Sequence, residues 1–385
     1  MNIFDVYPLF DVEPRRARGS WIWDVKGEKY LDFYGGHAVI SIGHSHPLYV
    51  NRLSAQLQTI GFYSNSVKNT LQEQLAAELG RQSGYDEYTL FLCNSGAEAN
   101  ENAFKIASFH TGRKKIIAFE GSFHGRTSLA VSATDDPKIR ALVNDSESVQ
   151  FLPLHDEKAL EEAINDETCA VIIEGIQGVA GINIPDPSFL EKIRSLCTQT
   201  GALMVVDEIQ SGYGRSGKFF AHQHSSVRPD IITIAKGMGN GFPVAGVLIH
   251  QEVKAKHGML GTTYGGNYLA CVAGIAVLDV IRHEKLVHNA LIMGDYIKDH
   301  LQGTEGIKEI RGQGLMIGIE LEFPCSDVRN DLLKTYRIFT GSASNKHTIR
   351  LLPSLNICRE EADLFLKSFK ASITKHIGLC SNLSA

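Results

Sequence analysis

From about residue 88 the chain alternates short apolar runs with helical stretches, and no other feature restricts its fold as tightly. The apolar runs occupy residues 89–92, 115–119, 149–152, 170–173, 203–206, 231–235 and 245–249. Helical patterns fill several of the intervals, at 97–110, 157–164 and 188–200. Strands this short and this uniformly apolar suit a sheet covered on both faces. Their alternation with helices predicts an α/β layered fold with a mostly parallel, seven-stranded sheet. Upstream, residues 68–80 place Leu71, Leu75 and Leu79 four apart and stop at Gly80, the pattern of an amphipathic helix. Residues 21–32 predict a short antiparallel pair, with turn signals at Asp24 and Gly27. Toward the C-terminus a long helix-like stretch (268–302), a strand-like run (314–321) and a closing helix (359–376) predict a smaller α+β domain. The expected division is an N-terminal segment over 1–45 packing with the small domain, a large domain over 46–270, and the small domain over 271–385.

Composition removes several function classes. With 385 residues, 43% hydrophobic and 21% charged, the chain can bury a large core. A net charge of −5 gives no signal for a polyanion, so nucleic acid is not an expected partner. No apolar run reaches the ~18–20 residues of a membrane span, and the start, Met1 to Asp5, lacks a signal peptide's basic and apolar segments. Seven cysteines (Cys93, Cys169, Cys197, Cys271, Cys325, Cys358, Cys380) form no CxxC pair. They read as reduced thiols, and the expected compartment is cytoplasmic.

Three segments carry chemistry. The first runs from Cys93 through Ser95, Gly96, Ala97 and Glu98 to Asn100. A strand leads into Ser95, with Glu98 at capping-box spacing, so a helix begins at Gly96 with free first-turn amides and no bulk over them. Such a helix start attracts phosphate, although it also serves as an ordinary cap. The second is the apolar run 202–206 ending in Asp207 and Glu208; ligands of open α/β sheets sit beyond strand carboxyl ends. A metal pair or a plain strand terminus is the other reading, and no further ligand at suitable spacing supports a metal. The third is the run 231–235 ending in Lys236, followed by a glycine-rich loop. A desolvated lysine has a lowered pKa and makes a Schiff-base nucleophile; a surface lysine is the bland alternative. The Gly237, Gly239, Gly241 run lacks the spacing and following helix of a dinucleotide loop. A phosphate cradle, a strand-end acid and a strand-end lysine together are the parts a pyridoxal-phosphate site requires. His44 with His46, and His222 with His224, are too few for a metal site.

With these motifs in hand, the sequence resembles the class III aminotransferases of pyridoxal-phosphate fold type I, among them the acetylornithine and ornithine aminotransferases. The motifs are Asn-Ser-Gly-Ala-Glu-Ala-Asn at 94–100, Phe-His-Gly-Arg-Thr at 123–127, Asp-Glu-Ile-Gln at 207–210, Ala-Lys-Gly at 235–237 and Gly-Thr-Thr-Tyr-Gly-Gly-Asn at 261–267. The resemblance implies that Lys236 binds the cofactor aldehyde and shuttles the proton, and that Asp207 pairs with the pyridinium nitrogen. It implies that Ser95, Gly96 and Ala97 hold the phosphate end, Phe123 stacks on the ring, and Gln210 bonds its phenolic oxygen. Thr263 is implied to reach the phosphate of a neighbouring subunit in a homodimer, with Thr262 as the adjacent substrate contact. Arg126 is implied to grip the donor's distant carboxylate, and Arg350 the α-carboxylate of glutamate or 2-oxoglutarate. Planar guanidinium forks suit both tasks.

The resemblance further implies transfer of a terminal amino group from N2-acetylornithine to 2-oxoglutarate, as in arginine biosynthesis. Succinylornithine, ornithine and 4-aminobutyrate are alternative donors, and an aminomutase is a more distant reading. One position departs from the family. Relatives acting on ornithine-type donors carry a second glutamate where this chain has Val179, in the segment 174–179. In those relatives that glutamate masks the counterpart of Arg350, which valine cannot do.

Overall fold

The computed structural model describes residues 1–383, with side chains described through residue 378. All seven apolar runs form strands of one sheet: β4 (Thr89–Cys93), β5 (Lys115–Phe119), β6 (Val149–Leu152), β7 (Thr168–Glu174), β8 (Leu203–Asp207), β9 (Ile231–Ile234) and β10 (Ala245–Ile249). Their spatial order is β4-β10-β9-β8-β7-β5-β6. β10 runs antiparallel to both its neighbours and every other pair is parallel. Every residue of β7, β8 and β9 is buried, which is why these runs show no polar alternation.

Register then decides where chemistry can gather. Glu174 pairs with Asp207, and Asp207 pairs with Thr233 on the next strand. The carboxyl ends of the three central strands are therefore level. Lys236, three residues beyond Thr233, emerges at the same edge as both acids.

The N-terminal part forms a small sheet of β1 (Pro14–Arg18), β2 (Trp21–Asp24) and β3 (Lys29–Asp32), joined by β13 (Ile338–Phe339) from the C-terminal part. β13 is parallel to β3, with Ile338 opposite Leu31. β1 carries no sequence signal, since its residues Pro-Arg-Arg-Ala-Arg are mostly exposed. The third sheet, β11 (Ile307–Gln313), β12 (Met316–Leu321), β15 (Thr348–Leu351) and β14 (Gly341–Ser342), is antiparallel and carries Arg350 on β15.

The stretch 268–302 is not one helix but two, Tyr268–His283 and Leu286–Leu301. Lys285, at φ 54°, makes the break. The first helix is apolar nearly all round and packs on the helices Pro47–Thr59 and Thr70–Ser83; the second packs on β11 and β12. Two different partners require a turn between them, and Glu284-Lys285 contains no glycine or proline to announce it. The closing helix is longer than expected, Arg359–Leu383. Of the cysteines, Cys93, Cys169, Cys197, Cys271 and Cys325 are free and buried and Cys358 is free and exposed. The side chain of Cys380 lies outside the described residues.

Candidate active site

A cavity of about 380 Å³ opens at the carboxyl edge of the large sheet. Ser95, Gly96, Ala97, Phe123, Arg126, Asp207, Gln210 and Lys236 all line it, together with Glu174 and Val179. Residues from five separate segments of the sequence thus meet in one place. Thr262, Thr263 and Arg350 do not line it. Arg350 stands behind Gln210, 3.4 Å from its Oε1. Thr262 accepts a hydrogen bond from Asn94 at the cavity edge (3.2 Å), and Thr263 is exposed.

Asp207 is 4% exposed, and three donors hold its carboxylate. His124 Nδ1 and Asn100 Nδ2 each approach Oδ2 at 2.8 Å, and the Ile209 amide donates to Oδ1 at 3.0 Å. A buried carboxylate so held has a fixed direction. His124 Nε2 has no partner among the described residues. Sequence reasoning does not connect His124 or Asn100 to Asp207, because they lie 83 and 107 residues from it.

Glu174, which sequence reasoning used only as part of a motif, is a second buried acid. Its oxygens accept from the amides of Phe123 and Gly178, both at 3.0 Å, which fixes the backbone that presents Phe123 to the cavity. Burial, with Asp207 adding, pushes its pKa up to about 7. A carboxyl whose pKa is raised on folding stabilises the fold fully below its unfolded value and loses that contribution as pH rises through the folded one. The cofactor-free protein should therefore lose stability between about pH 4.5 and 7, by on the order of 2–3 kcal/mol. Glu174→Gln should flatten this part of the profile. Urea melts of both proteins at pH 5 and pH 7.5 check it; parallel profiles would refute the assignment.

Lys236 keeps some exposure to the cavity, while burial around its amine lowers the pKa against the opposing pull of Asp207 and Glu174. Its backbone is left-handed, at φ 43°, a strained conformation for a side-chain-bearing residue. The helix Gly96–Thr111 begins as the sequence suggested. Ser95 Oγ accepts from the Glu98 amide at 3.2 Å, and Glu98 reaches back to the Asn94 amide at 2.9 Å. The Gly96 and Ala97 amides find no acceptor among the described residues, which leaves them free for an anion.

Arg126 is exposed at the cavity rim and forms no ion pair among the described residues. Arg350 is buried, and the acceptors it meets are neutral, among them the Ser342 carbonyl at 2.5 Å from Nε and Gln210 Oε1. The Gln210 amide also donates to the His37 carbonyl at 3.3 Å. The histidines weighed as metal pairs are engaged separately. His44 bonds Asp32, His46 bonds Glu284, His222 bonds Glu208 and Tyr85, and His224 bonds the Ser216 carbonyl.

The geometry is thus a lysine with a lowered pKa, a rigidly held acid and an unsatisfied helix start around one cavity. The family model for class-III aminotransferases matches residues 5–373. The chain belongs to that family. This aminotransferase is 38% identical over 383 residues to the acetylornithine aminotransferase of Bacillus subtilis (strain 168), covering 97% of this chain and 98% of that one. Among solved structures it resembles the acetylornithine aminotransferase of Elizabethkingia anophelis, with TM-score 0.84, 31% identity, and 96% and 95% coverage. It also resembles an ornithine aminotransferase from Toxoplasma gondii with PLP at partial occupancy in its active site, with TM-score 0.88, 30% identity, and 95% and 92% coverage. The enzyme is a pyridoxal-phosphate-dependent transaminase of fold type I.

Proposed function

We propose that this aminotransferase moves the terminal δ-amino group of N2-acetylornithine to 2-oxoglutarate, giving N-acetylglutamate 5-semialdehyde and glutamate, in arginine biosynthesis. The observation that carries the reading is a pair of guanidiniums without carboxylate partners among the described residues, Arg126 at the rim and Arg350 behind Gln210. Two such groups suit substrates that are carboxylates in both half-reactions.

The chain's residues divide the work. Gly96 and Ala97 would hold the cofactor's phosphate by their free backbone amides, with Ser95 as the helix cap, and Phe123 would cover its ring. When bound, the cofactor supplies an electron sink for the carbon that loses its proton. Asp207, its direction set by His124 and Asn100, keeps a proton on the ring nitrogen. Lys236 anchors the cofactor and carries the proton that moves during transfer. Gln210 would bond the cofactor's phenolic oxygen, Arg126 would hold the donor's carboxylate, and Arg350 would hold that of glutamate or 2-oxoglutarate.

We assign the working form to a cytoplasmic homodimer. Thr263, exposed and outside its own cavity, supports a role for it and Thr262 across the subunit interface. The division at 1–45, 46–270 and 271–385 belongs to the same proposal, with the β3–β13 pairing supporting the link between its first and last parts. A panel of acetylornithine, succinylornithine, ornithine and 4-aminobutyrate at fixed 2-oxoglutarate tests the donor. Acetylornithine should give the highest kcat/KM, and a preference for 4-aminobutyrate would overturn the assignment.

Val179 bears on discrimination. It lines the cavity, and its carbonyl accepts from the Ser344 amide at 2.8 Å, tying this loop to the segment between β14 and β15. A carboxylate introduced there would compete with substrate for Arg350. Val179→Glu should shift the kcat/KM ratio of acetylornithine over glutamate upward by about 10-fold, the scale of one charge-assisted contact. Steady-state kinetics on both donors check this; an unchanged ratio would refute it.

A further inference from the structure

Tyr34 and His37 stand beside Arg350 with no part in the roles above. Gly35–Ala38 between and around them is one left-handed turn, with φ of 56°, 56°, 66° and 66°. It closes through Ala38 N to the Tyr34 carbonyl (3.0 Å) and Val39 N to the Gly35 carbonyl (2.9 Å). Glycines adopt this readily, but His37 and Ala38 do so at a cost that the surrounding structure must bear. The turn brings the Tyr34 hydroxyl onto His37 Nδ1, with ring centroids 4.7 Å apart.

The Tyr34 ring lies against Gly341, which pairs with Arg350 across the sheet. A Cβ at Gly341 would stand 2.4 Å from that ring and 3.3 Å from the Arg350 Cβ, so glycine is what admits the phenol beside the arginine. The phenol and the guanidinium thus stand side by side, close enough for each to feel the other's charge. Desolvation raises the pKa of the half-buried phenol, and desolvation with the charges of Arg350 and Lys236 lowers that of His37, so the phenol stays protonated and the imidazole, though its residue is exposed, stays neutral. The hydroxyl hydrogen can then go to His37, leaving the phenolic oxygen free to accept from the guanidinium.

We propose that Tyr34, aimed by His37, is a specificity-determining gate on Arg350. Its neutral oxygen caps the guanidinium while a donor lacking a carboxylate at that end is bound, and it yields to the carboxylate of glutamate or 2-oxoglutarate. A neutral acceptor satisfies a buried cation yet binds it less strongly than an ionised one, so the carboxylate displaces it. The gate rests on the reading of Arg350 as a carboxylate clamp.

The test is glutarate, an unreactive dicarboxylate, titrated into the holoenzyme by calorimetry. Tyr34→Phe keeps the ring on Gly341 and removes the cap, so glutarate should bind about 3–10-fold tighter, the range of the net contribution of one ordinary hydrogen bond. His37→Asn, with a side chain tolerant of left-handed backbone, should shift affinity the same way. Unchanged or weaker glutarate binding in both variants overturns the gate. Arg350→Met separates the two claims. If it leaves glutarate affinity intact, the clamp reading fails; if it abolishes binding while Tyr34→Phe does not tighten it, only the gate fails. In an Arg350→Met background, Tyr34→Phe should have no further effect.

Discussion

Lys236→Ala should lower kcat for transamination by on the order of 10⁴-fold or more, because it removes the amine to which we assign both the anchoring of the cofactor and the movement of the proton. The structure makes substitution by another residue's amine difficult. Among the cavity-lining residues Lys236 is the lone lysine, and its amine is buried at the level of Asp207 and Glu174. Burial disfavours the ammonium form, and the two acids pull the other way. Single-turnover conversion with acetylornithine is the direct measurement. Activity within about 10-fold of wild type would remove Lys236 from the mechanism.

Asp207→Asn should cost about 10³-fold in kcat, comparable to losing one preorganised electrostatic partner, and about 1–3 kcal/mol in fold stability, the cost of one buried donor left without its acceptor. The substitution is nearly isosteric but removes the negative charge facing the cavity. It also replaces one acceptor oxygen by a donor: with the amide nitrogen at the Oδ1 position the Ile209 amide loses its acceptor, and with it at the Oδ2 position His124 and Asn100 both do. The expected signature is a fall in kcat with KM for acetylornithine changed only slightly. A change confined to KM would mean that Asp207 positions substrate instead of supporting the ring nitrogen.

These two positions are also the most legible in the sequence, for a physical reason. Strands buried on both faces are written as unbroken apolar runs, and the first polar residue after each run marks the carboxyl edge. Asp207 and Lys236 follow from that rule, and Ser95 with Glu98 follows from capping chemistry. The supports of the site are not written locally. His124 and Asn100 reach Asp207 across the fold, and the acceptors of Arg350 come from β8's end and from β14. The left-handed turn at Gly35–Ala38 has two glycines as a clue, but nothing in the sequence shows that His37 shares their conformation. Lys285 breaks a helix in a sequence that favours continuing it, because the two halves pack on different partners. Long-range packing decides each of these, and a single sequence does not record it.

The identity of the amine that captures the cofactor can be read covalently. Incubation of the protein with pyridoxal phosphate, reduction with borohydride and peptide mass mapping should place the modification on Lys236 alone. A label on any other lysine, or none at all, would contradict the account at its base.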